Sequence, residues 1–124
     1  MNTFKIVVCG SRHFQNYPLL RKAVGDTIAL VRAERPNSQI VIVSGCARGA
    51  DQLGERFAAE NGLSVERFAA NWARFGRGAG PKRNAEMAKV ANLVIAFPVG
   101  ASKGTKNMIK QAQKKGIECI IIPS

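Results

Sequence analysis

The amino-acid sequence predicts an α/β domain: one unit over residues 1–124, with a five-stranded parallel sheet and helices on both faces. Five short runs of apolar, largely β-branched residues recur along the chain, and a helical pattern separates each run from the next. This alternation is typical of a parallel sheet whose crossovers are helices. The first, second, fourth and fifth runs are almost continuously apolar, as expected for strands covered on both faces.

The elements follow in order along the chain. "FKIVVCG" ends at a glycine and is the first strand, and the predicted strands cover residues 4–10, 39–45, 63–69, 92–97 and 117–123. The first helix places Leu20, Val24 and Ile28 on one face, and the third helix has Pro81 in its first turn. The second helix ends on Asn-Gly and the fourth on two lysines and a glycine. The predicted helices cover residues 17–33, 49–62, 81–91 and 104–116, with a long loop at 70–80.

Composition narrows the class of protein. No apolar run approaches the roughly 18 residues of a membrane span, and the chain opens with a strand pattern instead of a signal peptide. We therefore expect a cytoplasmic protein with no membrane partner. The three cysteines are odd in number and lack C-x-x-C spacing, which argues against a disulfide framework and a zinc site. The sequence predicts no metal and no cofactor.

The net charge of +11 is concentrated in the second half, where residues 71–115 hold ten basic side chains and a single acid, Glu86. Such an excess indicates a phosphate-bearing partner, either a nucleotide or a nucleic acid. A solubilising surface is the alternative explanation.

Function is expected at the carboxyl ends of the strands, where ligands of open α/β sheets bind. Four loops leave those ends, and they hold most of the glycines and the only His and Trp. Their sequences are "GSRHFQNY", "SGCARGAD", "ANWARFGRGAGPKRN" and "PVGASKGT". "GASKGT" runs into a helix, where glycines and free N–H groups suit an anion. The alternative is a helix start capped by Ser or Thr. Asp51 is either a first-turn carboxylate stabilised by the helix dipole or an acceptor for a ribose hydroxyl.

Arg12, Arg48 and Arg83 begin or follow elements at this same edge, and their guanidinium groups match phosphate. Arg83 is unusual because it lies near the positive end of the predicted third helix, where a cation gains little unless an anion binds beside it. We therefore expect Arg83 to bind phosphate and to make no core contact. Trp72 either stacks on a base or covers the sheet. G-x-x-x-x-G-K-[ST] and G-x-G-x-x-G are both absent, which excludes a P-loop NTPase and an ordinary dinucleotide binder.

Taken together, "VVCGSRHFQNY", "SGCARGADQLGERFAAENG", "AANWARFGRGAGPKRNAEM" and "AFPVGASKGTKNMIKQA" resemble the SLOG superfamily, in particular its YspA-type branch. The resemblance covers nearly the whole chain in motif order. It implies a Rossmann-like sheet whose loops hold a nucleotide or a nucleotide derivative. The superfamily also contains the LOG enzymes, which release cytokinin bases from nucleoside monophosphates, and DNA-processing protein A, which binds single-stranded DNA.

Resemblance to the LOG enzymes is incomplete at the positions that carry their chemistry. "RNAEM" keeps the Arg and Met of their helix motif but has Asn84 in place of Lys, and Asn107 and Met108 occupy the two acidic positions of their glycine-rich motif. The carboxylate expected for glycosidic cleavage is therefore missing there. Asp51 or Glu86, with Arg83, are the substitute catalytic candidates, although Glu86 is also spaced to pair with Arg83.

Resemblance to DNA-processing protein A favours a second function, a single-stranded nucleic-acid-binding module. Four lysines at three- and four-residue spacing form a basic stripe on the fourth helix, and a solvated helix face is the plainer explanation. The LOG relatives also imply a homodimer. We predict the following ligand-binding residues: Gly10, Ser11, Arg12, Gly45, Arg48, Gly49, Asp51, Trp72, Arg83, Asn84, Gly100, Ser102, Gly104 and Thr105.

Overall fold

The computed structural model describes residues 2–100 and 102–123, so Ala101 of the predicted "GASKGT" loop lies outside the described residues. The strands are β1 (Thr3–Gly10), β2 (Gln39–Ser44), β3 (Ser64–Arg67), β4 (Leu93–Phe97) and β5 (Glu118–Ile121). The helices are α1 (Tyr17–Glu34), α2 (Ala50–Glu60), α3 (Trp72–Phe75), α4 (Ala79–Val90) and α5 (Lys103–Lys114), with a 3-10 turn at Gly76–Gly78.

All five strands run parallel in one sheet of order β3-β2-β1-β4-β5, which confirms the predicted fold class. Side chains of β1 alternate between the two faces. Ile6 and Val8 pack in one cluster with α1 and α2, whereas Val7 and Cys9 pack in a second cluster with α4 and α5. Burying side chains of this kind contributes about 1.5–3 kcal/mol each. Among the described residues, no helix is both long and apolar enough to span a bilayer.

The predicted long loop at 70–80 is wrong, because this segment forms α3 and the 3-10 turn. Asn71 caps α3, since its Oδ1 accepts a hydrogen bond from the backbone N–H of Arg74 at 3.1 Å. Gly76 ends the helix at a φ of +53°, a left-handed conformation that glycine adopts without strain. An Asn before "WARF" is the local signal for such a start, and the surrounding glycines obscured it.

The position of Arg83 is also corrected. Helix α4 begins at Ala79, two residues before the predicted start, so Arg83 is its fifth residue and lies beyond the first turn. Pro81 is the third residue of α4, where its missing N–H breaks no helical hydrogen bond. The argument that Arg83 sits on the positive end of a helix therefore fails, and its role has to come from its contacts.

β5 is covered on both faces, as its apolar sequence predicted, but only in part: Ile120 and Cys119 pack against the clusters on opposite faces of the sheet, and no residue of the strand is fully buried. It is an edge strand, and Ile121 is 48% exposed. An apolar run does not reveal whether a strand has a neighbour on each side.

Strand order defines the place where loops diverge. The chain moves from β1 to β2 and β3 on one side, and later to β4 and β5 on the other. Gly10 and Phe97 end β1 and β4 and lie in register with each other. The loops that follow these two strands therefore open a crevice at the topological switch point, the usual ligand position in such sheets.

Candidate functional site

A cavity of about 640 Å³, hereafter the main cavity, occupies this crevice. Gly10 at the end of β1 and the following loop residues Ser11, Arg12 and His13 line one side, and α4 and α5 supply much of the remaining wall. At Gly10 a Cβ atom would lie 2.8 Å from the Cβ of Ala50, so only glycine allows α2 to approach the end of β1 this closely.

The lining is strongly cationic. Arg12, Arg77, Arg83 and Lys103 contribute fixed positive charges, and Asp51 is the only carboxylate among the lining residues that the structure describes. A concave, partly apolar wall concentrates the potential of such charges and attracts anions.

Apolar side chains form the rest of the wall: Trp72, Pro81, Met87, Val99 and Met108. Trp72 is 51% exposed. Its indole lies over the start of α4, where a Cβ at Gly80 would be 3.3 Å from the ring. Trp72 therefore presents an accessible aromatic face at the cavity and does not cover the sheet.

Arg83 joins helix α4 to the loop after β2. Its Nη1 donates a hydrogen bond to the backbone carbonyl of Gly45, and its Nε donates to Asn84 Oδ1 at 2.9 Å. Gly45 leaves room for the side chains of Arg83 and Asp51, because a Cβ there would lie 2.7 Å from Arg83 Nη1 and 2.8 Å from Asp51 Oδ2 and would displace them. Arg83 was expected to make no core contact, and it lies outside the hydrophobic clusters, but these hydrogen bonds give it a structural role that the sequence did not indicate.

Asp51 is buried in the first turn of α2, with 6% of its surface exposed. Its Oδ2 accepts a hydrogen bond from the backbone N–H of Ala47 at 3.2 Å. Burial raises the pKa of this carboxyl from 3.8 to about 6, against the lowering effects of that hydrogen bond and of the Arg83 charge. Asp51 is therefore a titratable group at the cavity wall whose charge changes near neutral pH.

Asn84 links α4 to α5. Its Nδ2 donates to the carbonyl of Gly104 at 3.2 Å and to Asn107 Oδ1 at 3.1 Å. The two asparagines that replace charged residues of the LOG motifs therefore contact each other. Met108 is 1% exposed within the core, so a glutamate at that position would bury a carboxylate.

The start of α5 is capped internally. Ser102 Oγ accepts from the backbone N–H of Thr105 at 3.3 Å, and the two hydroxyl oxygens lie 2.7 Å apart. This is the capped-helix alternative considered for "GASKGT", although Ser102, Gly104 and Thr105 still line the main cavity.

Arg12, Arg48 and Arg83 do converge. Together with Gly45 and Trp72 they line a cleft of about 190 Å³, hereafter the arginine cleft. A third cavity of about 570 Å³, the outer cavity, lies between the loop after β1 and α2 and includes Gly49 in its lining.

Two predicted residues lie apart from these cavities. Gly100 is exposed in a turn at a φ of +66°, and Glu86 is exposed on α4 without an ion pair among the described residues. Neither lines a cavity described above, so Glu86 is poorly placed to replace a catalytic carboxylate. In residues 2–100 and 102–123, no group of three His, Cys, Asp or Glu side chains could hold a metal ion.

The set of ligand-binding residues predicted from the sequence lacks several residues that line the main cavity, notably Arg77, His13, Met87 and Lys103. The basic character of 71–115 was the signal for Arg77 and Lys103. For Met87 the local sequence carries no signal that distinguishes a residue of a cavity wall from an ordinary core residue.

Fold and cavity define a small Rossmann-like α/β domain with a basic crevice at its switch point. Residues 4–75 match the YspA, cpYpsA-related SLOG family, and the chain belongs to that family. This confirms the predicted resemblance to the SLOG superfamily and its YspA-type branch. Membership supports a nucleotide-related or nucleic-acid-binding role in general.

Known proteins that are similar to this chain include a phage protein and a DNA-processing protein. Gene 61 protein of Mycobacterium phage D29 is 34% identical over 122 residues, which cover 94% of each chain. The X-ray structure of DNA processing protein A from Streptococcus pneumoniae has a TM-score of 0.72 at 22% identity. That match covers 99% of this chain and 51% of the other, so this chain spans about half of that protein and shares its fold.

Proposed function

We propose that the protein binds a nucleotide or a nucleotide derivative in the main cavity, as a sensor or as a nucleotide-processing domain. The observation that carries the proposal is the cavity at the switch point, with four fixed cations and one carboxylate in its described lining. Its volume of about 640 Å³ falls in the range of about 300–1,000 Å³ that is usual for small-molecule sites.

The contacts suggest where each part of such a ligand binds. Arg12 and Lys103 are exposed and form no ion pair among the described residues, so they can bind phosphate without breaking an existing contact. The exposed ring of Trp72 offers a face on which a base can stack. Arg83 already donates to Gly45 and Asn84, which makes it a positioning residue for the wall.

Sensing is favoured over cleavage. Hydrolysis of a glycosidic bond needs a carboxylate beside the anomeric carbon. Asp51 is the available candidate in the described lining, and backbone N–H groups of the loop after β2 already hold it. Release of free base from a nucleoside monophosphate would assign the chain to the processing class instead.

A second candidate function is the binding of single-stranded nucleic acid. The supporting observation is the stripe on α5, where four exposed lysines lack ion pairs within the described residues: Lys103, Lys106, Lys110 and Lys114. The name of the Streptococcus pneumoniae protein, DNA processing protein A, agrees with this candidate.

Lysine substitutions distinguish the two functions. Lys103 lines the main cavity, and Lys114 lies on the same helix away from it, so Lys114→Ala is a matched control. We expect Lys103→Ala to weaken AMP binding about tenfold, as loss of a charge-assisted contact should, and Lys114→Ala to leave it unchanged. Fluorescence of the single tryptophan, Trp72, reports the titration.

Salt dependence completes the test. A pocket with one or two phosphate contacts should show a shallow slope of log affinity against log salt, whereas a polymer on the stripe releases about 0.7 counterions per contact. The nucleotide proposal fails if AMP and other nucleoside monophosphates do not bind. It fails in favour of the second candidate if both lysine substitutions weaken binding of an oligonucleotide equally and the slope is steep.

A further inference from the structure

Arg12 lies between the main cavity and the outer cavity. It lines both of them and also the arginine cleft, and Arg48 lines the cleft and the outer cavity. The three spaces are thus adjacent along the carboxyl edge of the sheet, with guanidinium groups at each junction. A mononucleotide in the main cavity would leave the outer cavity empty.

The outer cavity is built to receive a polar, anionic group. Its volume is about 570 Å³, and its lining combines cationic and neutral hydrogen-bonding side chains with an apolar floor: Arg12, His13, Phe14, Gln15, Arg48, Gly49, Gln52 and Leu53. No carboxylate occurs among the lining residues that the structure describes. Arg12 and Arg48 form no ion pair within the described residues, so their charges are left for a ligand.

Backbone packing brings the loop residues Arg12 and Arg48 close together. Gly49 has a φ of +79°, and a Cβ there would meet the carbonyl oxygen of Ser11 and lie 2.8 Å from the Cα of Arg12. The loops after β1 and β2 therefore touch at Gly49, and no side chain larger than hydrogen fits between them. This contact keeps the backbone at Arg12 and Arg48 close together whether or not a ligand is bound.

We propose that the ligand is a dinucleotide, two nucleoside units joined through phosphate, which spans the main and outer cavities. This mode differs from ordinary dinucleotide binding, because arginines at the junctions of the cavities, and not a G-x-G-x-x-G turn, bind the phosphate. This inference rests on the proposed nucleotide site. The two larger cavities, at about 640 and 570 Å³, each fall in the range of about 300–1,000 Å³ that is usual for a small-molecule site, so one nucleoside unit is assigned to each. The arginine cleft, at about 190 Å³, is the space for the bridging phosphate and offers it the unpaired guanidinium groups of Arg12 and Arg48, while Arg83 positions the wall.

The test compares AMP with two dinucleotides, one linked 5′–5′ by pyrophosphate (NAD) and one linked 3′–5′ (pApA). We expect at least one dinucleotide to bind about tenfold more tightly than AMP, and the better of the two identifies the linkage. Gln52→Glu places a carboxylate in the outer cavity, where it repels a second phosphate-linked unit. This variant should weaken the dinucleotide about tenfold or more and leave AMP within twofold.

Gln113→Glu is the matched control, because it makes the same charge change at an exposed position of α5 that lines none of the three cavities. Gln52→Ala is a milder second variant, and both Gln52 changes lie at an exposed helix position where folding should be retained. The inference is overturned if AMP binds as tightly as both dinucleotides, or if Gln52→Glu acts no differently from Gln113→Glu. It is also overturned if a 20-nucleotide single strand binds far more tightly than either dinucleotide. Failure of every nucleotide to bind would overturn the proposed function itself.

Discussion

Arg83 connects α4 to the loop after β2, and its removal should therefore affect stability as well as binding. Arg83→Ala deletes the hydrogen bonds to the Gly45 carbonyl and to Asn84, and it leaves a half-buried acceptor without its partner. We expect a loss of about 1–3 kcal/mol in the free energy of unfolding, measured by urea denaturation. Arg83→Lys keeps the charge but not the fork of donors, so its loss should be smaller. Equal stability of wild type and Arg83→Ala would show that the Gly45 contact is unimportant.

Asp51 makes stability depend on pH. Its pKa is raised in the folded state to about 6, so the native state binds a proton that the unfolded state releases near pH 4. This contribution is fully present below about pH 4 and is lost as the pH rises through about 6. Relative to Asp51→Asn, the free energy of unfolding of wild type should fall by roughly 2–3 kcal/mol between pH 4 and pH 7.

Urea unfolding of wild type and Asp51→Asn at both pH values measures this difference. The comparison removes the contributions of other groups that titrate equally in the two proteins. Arg83 lowers the pKa of Asp51 and Glu55 raises it, so the same difference in Arg83→Ala should extend to higher pH. A pH-independent difference between wild type and Asp51→Asn would contradict a buried, titrating carboxyl.

Among the elements, α3 is the one whose protection against amide exchange ligand binding should change most. None of its four residues is buried, and Trp72 at its start faces the main cavity. Short exposed helices open readily, whereas the later part of α4 is held in the core by Met87 and Ala88. We expect amides of residues 72–78 to exchange quickly in the free protein and to gain protection with saturating AMP.

Hydrogen exchange followed by mass spectrometry checks this expectation. The amides of 85–90 serve as an internal control, since they should be protected equally with and without ligand. Unchanged protection of 72–78 in a sample that binds AMP would remove Trp72 and α3 from the binding surface.

For the molecule as a whole, charge and topology act together. The sheet order brings the loops after β1 and β4 to one crevice, and the cations of 71–115 supply Arg77, Arg83 and Lys103 to its wall. The same charge leaves a lysine stripe on α5 that faces solvent. Site binding and polymer binding are therefore separable by substitution, because only Lys103 belongs to both surfaces. The homodimer and the cytoplasmic location stay predictions.

Local patterns were enough to predict much of this protein. Apolar periodicity located five strands and four of the five helices, because each depends on residues close together in sequence. The same patterns placed Arg12, Arg48 and Arg83 at the carboxyl edge, since every loop that follows a parallel strand emerges there. Asn71 was a local signal as well, but a short exposed helix among glycines gives little periodicity to detect.

Only the tertiary structure decided how those loops face one another. The order β3-β2-β1-β4-β5 depends on strand pairing between distant segments, and it alone creates the crevice between β1 and β4. Arg83 reaches a carbonyl 38 residues away, and Asp51 loses its solvent because α2 packs against the sheet. Such contacts join parts of the chain that no local pattern links, so the direction of a side chain and the pKa of a carboxyl follow from packing, not from composition.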